Sequence, residues 1–174
     1  FSEHGSFKIP HTMERLKDGI FYLSFTRVKR IPAVVIIKAL GLLKDEEISK
    51  FVSASTQFDE VIINILEFSS IKTQEEALDY IAKKIGITQS KEIRVERAKE
   101  ILEKYLMPHL GTSEENRILK AYNLCKMLKK FILVSNNKRG TDDKDHYMNK
   151  RLKMSGDLLS DLLRLNTKVL VGDL

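Results

Sequence analysis

The chain has 174 residues, of which 43% are hydrophobic, with only eight glycines and three prolines. This composition excludes a disordered segment and predicts a folded domain with a buried core. The formal net charge is +6, and positively and negatively charged residues are interspersed along most of the chain. We therefore expect any nucleic-acid contact to be local. The longest apolar run, 31–43, is broken by Lys38 and is too short to span a bilayer. We therefore expect a cytoplasmic protein with no membrane contact.

The start of the chain predicts a small antiparallel sheet. Aromatic and β-branched residues alternate with others over 20–28, directly after the Asp-Gly turn signal at 18–19. Residues 6–9 are a candidate partner strand.

Helical signals follow the predicted sheet. Pro32 fits the first turn of a helix over 33–40, and Gly41 fits its left-handed end. Asp45 is a candidate cap of the next helix. A further short helix is predicted over 58–68, with an apolar face formed by Val61, Ile62, Ile65 and Leu66.

Capping signals define the central helices. Thr73 and Glu76 have the spacing of a capping box, and Gly86 is expected to end the helix that they begin. Apolar residues then recur at intervals of three and four over 98–106, and Pro108 stops that run.

The last third of the chain predicts two more helices. One begins near 113–115, a polar loop occupies 135–142, and the final helix runs from about His146 into the 160s. Cys125, the single cysteine, lies on the apolar face of the first of these and is expected to be a small core residue. The predicted fold class is α+β, a mostly helical domain with a small sheet near its N-terminus.

Three aspartates, Asp142, Asp143 and Asp145, are the best candidate ligands for a hard metal ion such as Mg²⁺. Basic residues lie close to them in sequence: Lys138, Arg139, Lys144, Lys150, Arg151 and Lys153. We therefore expect ion pairs and helix caps to satisfy these carboxylates, with no metal site. The histidines lack ligand spacing, and there is no nucleophile motif or glycine-rich phosphate loop. The residues predict a non-catalytic domain without a cofactor.

The same segment favours a nucleic-acid contact, because it adds positive charge at a loop and at a predicted helix start. The cations concerned are Lys138, Arg139, Lys150, Arg151 and Lys153. His146 and Asn149 add hydrogen-bonding groups. Asp145 repels phosphate, so near nucleic acid it would orient a cation or accept from a base edge. The alternative is a solvated loop paired with itself.

Residues 142–159, here called the cassette, resemble the DDxDHxxNKRLxxxGxLL signature of the second-largest subunit of archaeal-type multisubunit RNA polymerases. Residues 27–41 are similar to the IPxVxxxRALG motif of that family. Residues 97–102 and 106–110 are similar to its AKxIL and PHL segments. The motifs occur in the family's order.

The resemblance implies that 1–174 is a single lobe domain, a fragment of a longer subunit without its flanking protrusion segments. The lobe forms part of the downstream DNA cleft. The assembled polymerase is a nucleotidyltransferase whose Mg²⁺ is held chiefly by the largest subunit. The domain itself is then expected to be non-catalytic, with no cofactor of its own.

The resemblance also assigns roles within the cassette. Asp145 would accept from a base of the non-template strand, with Lys144 beside it, while Lys150 and Arg151 would hold the DNA backbone or orient Asp145. The complete expected DNA-binding set is Lys138, Arg139, Lys144, Asp145, His146, Asn149, Lys150 and Arg151. Bacterial relatives differ at Lys144 and at 147–148, which bears on base selectivity.

The expected partners are the other polymerase subunits, downstream DNA and its non-template strand, with general transcription factors on the outer surface. Two alternatives stay open. One is a free-standing helical nucleic-acid-binding module, and the other is a protein-interaction scaffold whose cassette merely caps a helix.

Overall fold

The structure is a computed structural model that describes residues 2–4, 7–26, 28–53, 59–150 and 152–172. The chain divides into two compact units, Phe1–Arg139 and Gly140–Leu174. The assignment of 1–174 to a single lobe domain stays a prediction. None of the described helices is long and apolar enough to cross a membrane.

Two small antiparallel sheets begin the first unit. Strands β1 (Ser2–His4) and β2 (Phe7–Ile9) form a hairpin, and β3 (His11–Arg15), β4 (Phe21–Phe25) and β5 (Val28–Pro32) form a sheet in that order. The alternate residues of β4 are buried, as the sequence pattern indicates. The predicted antiparallel sheet near the N-terminus is confirmed.

The predicted partner strand at 6–9 is wrong. Ser6 lies outside the described residues, and β2 pairs with β1, while β4 pairs with β3 and β5. The short turn between Arg15 and Phe21 brings β3 and β4 together directly, and neighbouring strands joined by a short turn usually pair. Periodicity missed β3 because Met13 is its one large aliphatic residue.

Helix α1 (Ala33–Ala39) is the centre of the first unit. All seven of its residues are buried, and it contacts β4, β5 and the later helices α4 (Gln74–Ile85) and α6 (Arg117–Ser135). Gly41 has a φ of +106°, and the N–H groups of Gly41 and Leu42 donate to Lys38 O and Ile37 O at 3.0 and 3.3 Å. These two bonds form a Schellman motif. The helix and its glycine end are confirmed, although Pro32 precedes the helix by one residue.

Six helices follow α1 along the described part of the chain, and α4 and α6 pack directly against it. The box of Thr73 and Glu76 is present, and Gly86 is left-handed with a φ of +91°, so both predicted ends of α4 are confirmed. Two 3₁₀ turns, Pro108–Leu110 and Glu114–Asn116, separate α5 from α6. The bounds are α2 Asp45–Ser53, α3 Asp59–Glu67, α4 Gln74–Ile85, α5 Lys91–Tyr105, α6 Arg117–Ser135 and α7 Ser155–Gly172.

Helix α3 turns a different face to the core from the predicted one. Val61, Asn64 and Ile65 are buried, whereas Ile62 and Leu66 are exposed. The amide of Asn64 accepts from the first N–H of β4 at 2.9 Å and donates to the preceding turn at 3.0 Å. These bonds allow the Asn64 side chain to be buried, because a buried amide is tolerated when it is hydrogen-bonded. Phe58, predicted as the start of this helix, lies outside the described residues.

Cys125 is fully buried on α6, as predicted, and burial raises the pKa of its thiol to about 12. The thiolate is the reactive form, so this cysteine is an inert part of the core.

The ammonium group of Lys38 joins three elements. The Lys38 side chain is 2% exposed, and its Nζ donates to Phe68 O and Ile71 O, each at 3.1 Å. The same Nζ lies 3.0 Å from the Asp45 carboxylate. Asp45 is the first residue of α2, and its carboxylate pairs with Lys38 of α1. The prediction that Asp45 caps α2 is therefore wrong. A buried ammonium is stable here because it is both hydrogen-bonded and paired.

Replacing Lys38 with Met keeps the length of the side chain but removes the ammonium. We expect the free energy of unfolding to fall by about 3 kcal/mol, because two carbonyls and a carboxylate lose their shared partner. Urea unfolding followed by circular dichroism measures this change. Lys44→Met is the control: that side chain is 78% exposed. It should change the free energy of unfolding by less than about 0.5 kcal/mol, and an equal loss in both variants would contradict the role of Lys38.

His11 connects the sheet to the turn that follows α5. Its Nδ1 donates to Ile9 O and its Nε2 accepts from Met107 N–H, both at 3.1 Å. The backbone of Met107 is left-handed, with a φ of +44°. The bond that Nε2 accepts requires the neutral ring, because a protonated Nε2 can only donate, and burial lowers the pKa of His11 from its ordinary value of 6.5.

The stability that His11 contributes should depend on pH. The folded chain binds this proton less readily than the unfolded chain, so the contribution is fully present above pH 6.5 and is lost as the pH falls. We expect the difference in unfolding free energy between the wild type and His11→Asn to narrow between about pH 7.5 and pH 5. Denaturant titrations of both proteins across this range measure it, and a constant or widening difference would refute the assignment.

Candidate nucleic-acid interface

The cassette lies in the second unit and begins with a loop. The helix predicted from His146 starts at Ser155 instead. The N–H groups of Asn149 and Lys150 both donate to His146 O, at 2.9 and 3.1 Å, which makes a turn that the chain does not continue. Helix α7 begins where the carboxylate of Asp157 accepts from Met154 N–H at 3.1 Å. Lys150 is consequently a loop residue, and the prediction that it lies at the start of a helix is wrong.

Hydrogen bonds within the loop 142–150, here called the cassette loop, hold its shape. Asp143 Oδ1 accepts from Asp145 N–H at 2.9 Å, as in an Asx turn. The Asn149 amide donates across the base of the loop to Asp143 O at 2.7 Å. His146 Nδ1 accepts from Met148 N–H at 3.2 Å. Asn149 and His146 therefore brace the loop from inside.

The charged groups of the cassette loop face solvent. Asp145 Oδ1 lies 3.1 Å from Lys150 Nζ, with 66% and 49% of the two side chains exposed. Surface pairs of this kind contribute at most about 1 kcal/mol, so a ligand can displace one partner at little cost. Lys144 is also exposed. Arg151 lies outside the described residues.

Lys138 and Arg139 belong to the first unit. Their N–H groups donate to Leu133 O at 2.9 and 3.2 Å, so they form the turn that ends α6. Both side chains are exposed. The structure thus divides the predicted DNA-binding residues between the two units.

Two further features of the second unit are exposed apolar surfaces. Tyr147 and Met148, which sequence reasoning did not select, are 75% and 88% exposed on the cassette loop. An exposed aromatic ring beside basic residues can stack on a nucleic-acid base. On α7 the exposed apolar side chains are Leu158, Leu159, Leu162, Leu163, Leu165, Val169, Leu170 and Val171.

The described residues bring no three histidine, cysteine, aspartate or glutamate side chains together in a group that could hold a metal ion. The predicted carboxylate cluster is instead engaged locally: Asp143 accepts from backbone and Asp145 pairs with Lys150.

The family described as RNA polymerase Rpb2, domain 2, has a model that matches residues 3–153. The chain belongs to this family. The matched range contains the cassette loop and the other two motifs, while α7 follows it. Curated relatives carry polymerase subunit names and come from archaea.

Three relatives illustrate the similarity. The chain is 43% identical to "DNA-directed RNA polymerase subunit Rpo2" of Saccharolobus solfataricus, over 99% of this chain and 16% of that protein. It is 38% identical to subunit Rpo2N of Halobacterium salinarum, over 99% of this chain and 34% of the relative. It is 37% identical to Rpo2N of Methanocaldococcus jannaschii, over 100% and 36%. The chain therefore spans a small part of the Rpo2 relatives and about a third of the Rpo2N relatives.

Asn149→Ala should loosen the cassette loop without affecting the fold. The substitution removes the amide that spans the loop to Asp143 O, and an exposed loop bond contributes little to global stability. We expect amide hydrogens over 143–150 to exchange faster while the thermal unfolding midpoint is unchanged. Hydrogen exchange followed by NMR measures this, with Met148→Ala as the control. Equal exchange rates in the two variants would refute the bracing role.

Proposed function

We propose that this chain is the lobe domain of the second-largest subunit of a DNA-directed RNA polymerase. In that role it lines part of the downstream DNA cleft and contacts the non-template strand, without catalysing nucleotide addition. The observation that carries this proposal is the cassette loop, which is braced from within and presents Lys144, Tyr147 and Lys150 to solvent.

The residues of the predicted site then divide among three tasks: phosphate contact, base reading and positioning of the loop. Lysine and arginine contact phosphates, which supplies affinity without sequence preference. The cations concerned are Lys138, Arg139, Lys144, Lys150 and Arg151. Asp145 is the acceptor that reads a base, and Lys150 holds its carboxylate at 3.1 Å until an N–H of a base takes that place. His146 and Asn149 position the loop.

Nucleotide addition belongs to the assembled enzyme in this proposal, with its Mg²⁺ held chiefly by the largest subunit. The lobe contributes by holding DNA in register with that distant site. General transcription factors would dock on the outer surface of the first unit, where charged helices extend over 44–104.

Helix α7 supports a place within a longer subunit. Its leucines are exposed, it follows the residues that the family model matches, and the relatives extend far beyond the aligned segment. A surface formed by eight exposed apolar side chains marks a contact with another part of a protein. We assign it to the flanking protrusion of the same subunit.

Purifying the native polypeptide from its source tests this assembly. A longer chain that travels with other large polymerase subunits is expected. A chain of this length that travels alone would favour the free-standing nucleic-acid-binding module or the interaction scaffold instead.

Replacing Lys150 and Arg151 together with Ala tests the DNA contact in the assembled polymerase. We expect weaker protection of downstream DNA and faster dissociation at low salt. Dissociation should also depend less steeply on salt concentration, because the loss of each phosphate contact lowers the salt slope by about 0.9. Single-nucleotide addition on a preassembled scaffold should stay within about twofold of the wild type, because these side chains are remote from the chemistry.

The double variant Lys84→Ala with Lys91→Ala, which removes two exposed lysines from α4 and α5, is the charge-matched control and should leave downstream protection unchanged. Unaltered protection in the double variant would refute the DNA contact. Loss of nucleotide addition in a correctly assembled enzyme would refute the non-catalytic assignment.

A further inference from the structure

A pocket of about 320 Å³ lies in the first unit between α6, the turn at 107–109 and the N-terminal strands. Its volume is at the lower end of the range of small-ligand sites. Its polar lining includes Ser2, His109, Asn123, Lys126 and Lys130. None of the described residues that line it is acidic.

The two lysines give this α6 pocket its chemistry. Lys126 and Lys130 are exposed and lie one helical turn apart on α6, so they occupy the same face of the helix. Each ammonium has three donors and no acceptor. Two like charges at this spacing repel each other, and an anion between them removes that repulsion.

The sequence around the pocket strengthens its positive potential. From Arg117 to Arg139 the chain has no aspartate or glutamate. Over the same stretch, the cations from the middle of α6 onward are Lys126, Lys129, Lys130, Lys138 and Arg139. A concave surface whose described charged lining is cationic concentrates counter-ions, so the pocket is suited to an anion.

The opposite wall is held by bonds between distant parts of the chain. Ser2 is buried, and its Oγ lies 2.6 Å from His109 Nδ1 and accepts from His109 N–H at 3.3 Å. Met107 beside it donates to His11 at 3.1 Å. The ring of His109 is exposed with Nδ1 already engaged, which leaves Nε2 as a further polar group on this wall. The wall is therefore formed before any ligand arrives.

A larger groove of about 640 Å³ on the same unit differs in charge. Its lining includes Glu100, Glu103 and Lys104. Mixed charges do not select an anion, whereas the α6 pocket presents cations alone among its described charged residues.

We propose that the α6 pocket binds a phosphate group, held between Lys126 and Lys130, and that a DNA backbone supplies it. Lysine binds phosphate as a point charge, without the fixed geometry that arginine imposes. The pocket would act as a second contact for DNA, separate in sequence from the cassette. The choice of DNA as the source rests on the function proposed above, while the affinity for phosphate rests on the pocket alone.

Titration of the 174-residue chain with inorganic phosphate, and separately with oligothymidylate of about ten nucleotides, tests the proposal. We expect both to shift the NMR signals of the His109 ring and the Asn123 amide. Lys126→Gln with Lys130→Gln should weaken oligothymidylate binding about tenfold and lower its salt slope by roughly 1. The same pair changed to Arg should retain binding.

Lys129→Gln is the matched control for Lys126→Gln and Lys130→Gln made singly, since it also removes one charge from the same helix but does not line the pocket. It should weaken binding less than about twofold. Equal losses from Lys129→Gln and the double variant, with all proteins folded, would overturn the pocket. Unmoved His109 and Asn123 signals with both ligands would do the same.

The remaining outcomes separate the sources. Signals shifted by phosphate but not by oligothymidylate would overturn DNA as the ligand. A polyglutamate peptide that shifts them at lower concentration than the oligonucleotide would overturn it in favour of an acidic protein. Lys150→Ala in the same chain should leave the His109 shift in place, so failure at the cassette and failure at the pocket give different results.

Discussion

The buried ammonium group of Lys38 determines how the first unit is assembled. Helix α1 is buried on every side, and this one cation joins it to α2 through Asp45 and to the turn between α3 and α4 through two backbone carbonyls. Helix α4 packs along α5, and α5 leads into the turn where Met107 bonds to His11. Packed elements therefore connect Lys38 with the turn at Met107, which lines the α6 pocket.

Local signals in the sequence predicted the ends of elements well. The capping box at Thr73 and the left-handed glycines act within a few residues, so they could be found from spacing alone. Errors arose where a distant partner decides the outcome. Asn64 faces inward because β4 needs its amide, and Ile62 is displaced to the surface. The final helix starts late because hydrogen bonds inside the cassette loop compete with helical ones, as short polar side chains often do.

The candidate site shows the same division. Ion pairing of the cassette aspartates was accessible from sequence, since basic residues lie within a few positions of them, but the choice of Lys150 as the partner of Asp145 was not. The pocket on α6 was not, because Lys126 and Lys130 look like ordinary solvated residues until Ser2 and His109, 107 positions apart, close the opposite wall. The two positive surfaces also differ in design: the cassette loop offers an acceptor beside its cations, whereas the pocket offers donors.

Helix α7 has a consequence for how such a protein is made. Its leucines emerge from the ribosome after the first unit has all the residues of its own core, and they face water. A newly made chain that exposes apolar surface in this way is prone to aggregation, and such surfaces are what chaperones bind. The order of synthesis thus leaves an interval in which the first unit has its whole core while the shorter second unit still exposes its leucines.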